Sequence, residues 1–405
     1  MSQIRQRAAL GAALAATALG GLFAAGCGDA TTSGGSGSSG GSSDGGDDAF
    51  VIGVANGQTG YLAPFDVPIL GGVRQRVAEL NADGGIAGRR KIELKVVDMR
   101  SDIGEQATKA QELIGDGVDA LILACDSDPA IAGGQVAQRA KVPAFGCPSN
   151  PERVGDQLFQ MFAPERAHPT VAAQYAIERG WRRGFLLGSP DTGYTQNGVE
   201  YFKSAFEAAG GTIVGSASFA LDQQDFATIV QQVKRAKPQV LYTTMYEPAI
   251  ATLLKQLRGA GVTVPVIGDS IESPAVQGLS DAIRRDVYFT SIADSNADAP
   301  AGRFIAEVAA ASGADAGGVY AVMGADVVSV IDAAVRAGGD GDQLAAAIAR
   351  LKDVPGVAGT ISYDWPGSGN TQLRPVLVKS LLGGDRTRVW ETVTPDPADY
   401  PPVIG

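Results

Sequence analysis

The chain has 405 residues, 45% of them apolar, and a formal net charge of −11 from 33 Lys+Arg against 44 Asp+Glu. That length holds more than one hydrophobic core, and two lobes are the natural expectation. The acidic balance excludes the electrostatic footprint of a nucleic-acid-binding protein, and it favours solubility without identifying a ligand.

In chain order, residues 1–26 read as a signal peptide. Arg5 and Arg7 form a basic start, and 8–25 is apolar and rich in alanine. Ala24-Ala25-Gly26-Cys27 resembles a bacterial lipobox, with Ala24 where leucine is more usual. That resemblance implies cleavage before Cys27 and lipidation of its thiol; an ordinary secretory signal is the alternative. Residues 28–48 are Gly/Ser/Thr with a few Asp, a hydrophilic tether that buries nothing. The tether contains Gly37-Ser38-Ser39-Gly40-Gly41, a formal G-x-S-x-G. With no strand before it and no helix after it, it is not a nucleophile elbow. Nothing after residue 26 is long and apolar enough to span a bilayer.

Residues 50–55 form an apolar strand, followed by helical spacing at Ile69, Val73, Val77 and Leu80. A strand at 92–98, a helix over 102–114 and a strand at 119–124 follow. Cys125-Asp126-Ser127-Asp128 is a polar corner, with Pro129 placed as a first helical residue and a helix over 130–140. The next strand opens at 142–145. This β-α alternation predicts a doubly wound parallel sheet. A second run of the same type has helices at 168–180, 198–210, 227–236 and 248–261. Its strands are at 183–189, 212–219, 240–245 and 264–268. Helices at 301–311, 319–337 and 343–351 return to the first lobe, and strands at 360–364, 375–381 and 388–393 complete the second. The expected organisation is 49–167 with 292–355 as one lobe and 168–291 with 356–405 as the other.

The corner at Ser127 lies at the carboxyl end of a parallel strand, where open α/β sheets bind ligands. Unpaired N–H groups at a helix start, together with a serine hydroxyl, suit a carboxylate. The same residues also serve as an ordinary helix cap. Cys125 and Cys147 end consecutive predicted strands and are placed either to form a disulfide or to remain as two thiols. Enzyme signatures are missing. His168 is the one histidine, which leaves no multi-histidine metal site and no supported triad. It is expected to be exposed or at a cleft edge. No G-x-G-x-x-G or P-loop occurs, so no cofactor is expected.

Three stretches carry a resemblance. The first is Thr59-Gly60, then Gly71-Gly72, then the run from Ala78 to Arg89; the second is Asp119 to Pro143 with Ser127; the third is Asp191-Thr192-Gly193-Tyr194 followed by Gly210. Later pieces, including Tyr320, Ala325-Asp326 and Val357 to Ile361, keep the same register. Together they resemble the solute-binding proteins of ABC transporters for branched-chain amino acids, the leucine/isoleucine/valine-binding type. The resemblance implies a type I periplasmic-binding fold: two Rossmann-like lobes, three crossovers and a small-molecule ligand held in the cleft between them. It further implies a monomeric, non-enzymatic protein exported to the outer face of the cytoplasmic membrane, or to the periplasm, and partnered by permease subunits in the membrane. A sensor module on the same fold is the alternative.

By that resemblance Ser127 holds the ligand carboxylate, and Ser149 and Asn150 line the same pocket. Glu165 stands where an aspartate pairs with the ligand ammonium. Phe65 covers the pocket in place of a tyrosine. Tyr194 matches a Tyr-Gly pair whose glycine is Thr195 here. Tyr246, Glu247 and Asp269 approach from second-lobe strand ends. The departures at Phe65, Ser149, Asn150 and Thr195 leave the ligand open among a branched-chain amino acid, an amide, urea and an aromatic acid.

Overall fold

The computed structural model describes residues 49–245, 249–269, 271, 274–313, 316–383 and 386–404. The predicted signal peptide, Cys27, the tether, Tyr246 and Glu247 lie outside these. Strands β1 (Phe50–Asn56), β2 (Ile92–Asp98), β3 (Ala120–Leu123), β4 (Ala144–Gly146) and β5 (Leu158–Gln160) alternate with helices α1 (Ala63–Ala82), α2 (Ile103–Gly115) and α3 (Ser127–Ala140). They form a parallel sheet in the order β2-β1-β3-β4-β5. The near-continuous apolar runs of β1 and β3 reflect a sheet covered on both faces. Phe50, Ile52 and Val54 enter one core, whereas Ala55, Leu121 and Leu123 enter the core under α2 and α3.

The second half continues with α4 (Ala167–Glu178), β6 (Arg183–Gly188), α5 (Gly193–Ala208), β7 (Thr212–Ser218), α6 (Ala227–Ala236) and β8 (Val240–Thr243). Then come α7 (Ala249–Gly259), β9 (Val266–Asp269), the single turns α8 (Pro274–Gln277) and α9 (Asp281–Arg284), and β10 (Val287–Ser291). Helices α10 (Pro300–Ser312), α11 (Val319–Arg336) and α12 (Leu344–Ile348) precede the short pair β11 (Val354–Gly356) and β12 (Gly359–Ile361). Strands β13 (Val376–Gly383) and β14 (Arg386–Val393) follow. The second sheet runs β14-β13-β10-β9-β8-β6-β7. Its five parallel strands repeat the winding of the first, and β13 and β14 add antiparallel at one edge. Strands β5 and β10, absent from the sequence-based reading, close the parallel part of each sheet.

The chain passes between the two cores three times, each time within a few residues. Met161 packs in the first core and Ala163 in the second; Phe289 in the second and Ile292 in the first; Tyr363 in the first and Trp365 in the second. The last crossing falls at 363–365 rather than 355–356, because Ile361 and Tyr363 are fully buried against the first core. A buried network ties this crossing down. Arg374 pairs with Asp326 at 2.9 Å, with both side chains almost wholly excluded from solvent. Gln372 donates to the Tyr363 hydroxyl at 2.9 Å, and that hydroxyl donates to the Gln160 carbonyl at 2.7 Å. No described helix is long and apolar enough to cross a membrane.

Helices α1 and α11 meet backbone to backbone. A Cβ on Gly72 would lie 1.8 Å from the Ala321 carbonyl oxygen, and one on Gly324 would lie 2.0 Å from that of Ile69. Neither helix can accept even a methyl group here without moving apart from the other. Gly72→Ala and Gly324→Ala are each expected to destabilise by about 1–3 kcal/mol or more, read as a fall in denaturation midpoint. Gly115→Ala, where an added Cβ meets nothing within 4 Å, is expected to be neutral or stabilising.

Candidate functional site

In the first sheet the winding reverses between β1 and β3, the crevice where open α/β sheets place ligands. Asp66, in the first turn of α1 and fully buried, fills the base of that crevice. One carboxylate oxygen accepts the Gly57 N–H at 2.7 Å and the other accepts the Cys125 N–H at 2.9 Å. Its carbonyl accepts from the Asn56 side chain at 2.8 Å. Burial pushes its pKa up to about 7; the two N–H bonds oppose the rise, and Asp126 and Asp98 add to it. Sequence reading passed over this residue. The available signal was an acid three residues before Ile69, on the apolar face of the helix.

The Ser127 corner stands beside it. Helix α3 begins at Ser127, three residues before the expected start, with Asp126 as its N-cap. The Asp126 carboxylate accepts the Ser127 N–H at 2.7 Å, Pro129 has no N–H, and the Ala130 N–H bonds the Asp126 carbonyl. Asp128 is left with the one first-turn N–H that a ligand could use. The corner is therefore a self-capped helix start, poorer in donors for a carboxylate than the sequence suggested. The Ser127 hydroxyl accepts the Ser149 N–H at 3.1 Å, joining the loops after β3 and β4. A disulfide between Cys125 and Cys147, Cα atoms 4.7 Å apart, joins the same two strand ends. Gln160 donates to the Pro148 carbonyl at 3.0 Å and fixes the second loop from below.

Aromatic rings close the first-lobe side. Phe65 meets Tyr320 edge to face with ring centroids 5.2 Å apart. Tyr61 donates to Asp126 at 3.1 Å. Asn150 points to the C-terminal segment, its amide 3.5 Å from the Ile404 carbonyl oxygen. The Ile404 N–H reaches the Tyr201 hydroxyl on α5 at 3.1 Å, and Arg166 holds the Pro401 carbonyl at 3.0 Å.

Glu165 lies between β5 and α4, at the first crossing. It is only 7% exposed, the Ser149 and Asn197 side chains are its hydrogen-bonding neighbours, and it forms no ion pair among the described residues. Burial pushes its pKa up to about 7, with Ser149 and Asn197 beside it partly offsetting the rise. From the second lobe comes a connected cluster. Asp269, at the end of β9, accepts from the Tyr194 hydroxyl, from Thr290 at 3.0 Å and from His168 Nδ1 at 2.8 Å. Burial alone would raise the Asp269 pKa, but His168, Tyr194 and Thr290 outweigh it and hold the group below the usual carboxylate range. His168 is thus buried, not exposed. Its ring stacks on Phe162 with centroids 4.7 Å apart. Thr195, in place of a glycine, uses its hydroxyl to bond the Ser189 carbonyl at 2.9 Å.

Asp66 and Glu165 set a pH dependence of known sign. Both fold with a pKa near 7, above their ordinary 3.8 and 4.5. The folded state therefore binds more protons than the unfolded one between about pH 4 and 7. Their contribution to stability is complete below pH 4, is lost as pH rises through 7, and is level above it. Glu165→Gln, which removes one of the two groups, is expected to flatten the dependence of the melting temperature over pH 4.5–7 and to raise the melting temperature at pH 8.

Comparison with known proteins agrees with this architecture. A Leu/Ile/Val-binding protein from Rhizobium johnstonii is 22% identical over 79% of this chain and 89% of its own length. The branched-chain amino acid transporter substrate-binding protein from Streptococcus pneumoniae, solved in complex with isoleucine, superposes with a TM-score of 0.74. It is 21% identical and covers 86% of this chain and all of its own. A solute-binding protein of an ABC transporter from R. palustris, solved in complex with benzoate, gives 0.71 at 20% identity, over 86% of this chain and 97% of its own. The periplasmic binding protein family model matches residues 50–377, and the chain belongs to that family.

Proposed function

We propose that this protein is the extracytoplasmic receptor of an ABC importer and that it captures a small amino-bearing solute between its lobes. The observation that carries the reading is Glu165, a buried carboxylate beside Ser149 and Asn197 that forms no ion pair among the described residues. A buried carboxylate without a cation is costly to ionise, and a ligand ammonium would satisfy it. Ser127, Ser149 and Tyr194 supply hydroxyls around it, and Phe65 with Tyr320 supplies an apolar wall. Asp269 stands on the second-lobe side and orients Tyr194; Tyr246 and Glu247, outside the described residues, join the site by the family resemblance alone. The lobes, 49–162 with 292–363 and 163–291 with 364–404, rotate about the three crossings and trap the ligand without turnover. Permease subunits in the membrane would read the closed form. Residues 1–26 direct export, and a lipid on Cys27 with the tether at 28–48 holds the receptor at the outer face of the membrane.

A second reading is an aromatic acid, as in the benzoate-bound neighbour; the edge-to-face Phe65–Tyr320 pair favours it. The two readings differ in the sign of a pH effect. An ammonium binds the ionised Glu165, whose pKa stands near 7 without ligand, so binding releases a proton below that pH. Affinity for an amino compound is then expected to rise from pH 5 to pH 8 by up to about tenfold per unit. A carboxylate ligand would use the protonated Glu165 as a donor, and its affinity would fall over the same range. Calorimetry with leucine, isoleucine, glutamine, benzoate and 4-hydroxybenzoate at pH 5.5 and 8 separates them. Failure of the whole panel to bind would remove the amino-bearing reading.

A further inference from the structure

We propose that His168 is a positioning residue that sets the hydrogen-bond polarity of Tyr194, so that Tyr194 meets the solute as an acceptor and selects one that brings an N–H donor. This rests on the receptor reading above and deepens it. The contacts run from the first crossing to the cleft. The His168 ring, 1% exposed, stacks on Phe162 with centroids 4.7 Å apart. Its Nδ1 lies 2.8 Å from Asp269 Oδ1 and 3.0 Å from Thr290 Oγ1, and Thr290 itself donates to Oδ1 at 3.0 Å. The Tyr194 hydroxyl donates to the other oxygen, Oδ2. Tyr194 is half-buried, in the first turn of α5.

The arrangement is directional. An ionised carboxylate only accepts, so His168 Nδ1, Thr290 and Tyr194 each commit a proton to Asp269. A tyrosine oxygen whose proton is committed accepts in every further bond it makes, a bond to a solute included. Burial alone would favour the protonated acid, and His168 is the foremost of the groups that oppose it and hold Asp269 below the usual carboxylate range. A protonated Asp269 would instead donate to the Tyr194 oxygen and release the tyrosine proton toward the solute. The polarity of Tyr194 therefore follows from the charge on Asp269, and that charge from the proton on Nδ1. His168 Nε2 is buried and has no hydrogen-bond partner among the described residues, so the polar role of the ring runs through Nδ1 alone. Burial, then Asp269 and Glu165, push the Tyr242 hydroxyl up, which sets both acids near one buried ring. An acceptor at Tyr194 and the Glu165 carboxylate suit the same ammonium.

The experiment joins NMR of the full chain, with tyrosine labelled at the Cζ carbon, to calorimetry. The solutes are L-leucine and L-phenylalanine, each set against the acid of the same skeleton that lacks the ammonium. Tyr194→Phe assigns the Tyr194 signal. His168→Phe keeps an aromatic ring against Phe162 and removes Nδ1, whereas His168→Asn places an amide N–H where Nδ1 stands. If His168→Phe does not fold, His168→Gln, whose amide stands at the Nε2 position, takes its place. In His168→Phe the Tyr194 signal is expected to move upfield as the hydroxyl ceases to donate; in His168→Asn it is expected to keep its place. The wild type is expected to favour the amine of each pair by at least about tenfold, His168→Phe to cut that preference about tenfold, and His168→Asn to restore it to within about threefold. A Tyr194 signal unmoved in His168→Phe, or moved as far in His168→Asn, overturns the positioning role whatever binds. So does a preference for the amine that His168→Phe leaves unchanged. With the signal behaving as expected, no binding by any of the four solutes overturns the amino-solute reading and leaves the polarity of Tyr194 standing. Preference for the ammonium-free acids overturns both.

Discussion

The Asp66 carboxylate is the interaction on which the rest of the first lobe turns. Just past the ends of β1 and β3, where the winding reverses, the backbone N–H groups of Gly57 and Cys125 both point at this carboxylate. Left unpaired in a buried place, each would carry a desolvation penalty of about 1–3 kcal/mol. A single carboxylate from the first turn of α1 accepts both. That choice fixes helix, strand ends and ligand corner as one piece, because Cys125 leads directly into Asp126 and Ser127. The clamp also puts an acid with a raised pKa in the crevice between β1 and β3.

From this floor, support passes outward through short, specific contacts. The disulfide and the Ser127–Ser149 bond tie the β3 and β4 loops. Gln160 supports the β4 loop from below and receives at its carbonyl the hydroxyl of Tyr363. Tyr363 in turn belongs to the buried group with Gln372, Arg374 and Asp326 at the third crossing. The third crossing is thus bonded to the loop after β4. A buried ion pair is weak evidence for added stability, but removing one member would leave an uncompensated charge, so the group holds its geometry firmly.

The overall architecture was legible from the chain because apolar strands and amphipathic helices alternate with regular spacing. Three-residue β5 lacked enough length to show a period, and β10 follows two single-turn helices that mask it. Helix α3 started early because proline is tolerated throughout a first turn, where it forfeits no helical hydrogen bond. Of the expected site residues, Ser127, Ser149 and Glu165 lie about one corner, and Tyr194 meets Asp269. What stayed hidden was pairing at long range. Asp66 and Cys125 are 59 residues apart, Asp326 and Arg374 are 48 apart, and His168 reaches Thr290 across 122. Local pattern gives no sign of which acid finds which donor. Asp66 was therefore overlooked, and His168, expected exposed or at a cleft edge, is buried.

The C-terminal segment gives the closing motion a reference state. Ile404 offers its N–H to Tyr201 on the second lobe and its carbonyl to Asn150 on the first, while Arg166 holds Pro401 between them. Any swing of the lobes must break one side of this strap or lengthen it. In the closure proposed above, the strap would act as a fixed bias on the open–closed equilibrium, present before any solute arrives. A solute's apparent affinity reports its contacts together with that bias, since only the fraction of molecules in the competent form can bind. Two receptors with identical cleft residues and different tails would consequently rank the same solutes alike and yet respond to them over different concentration ranges.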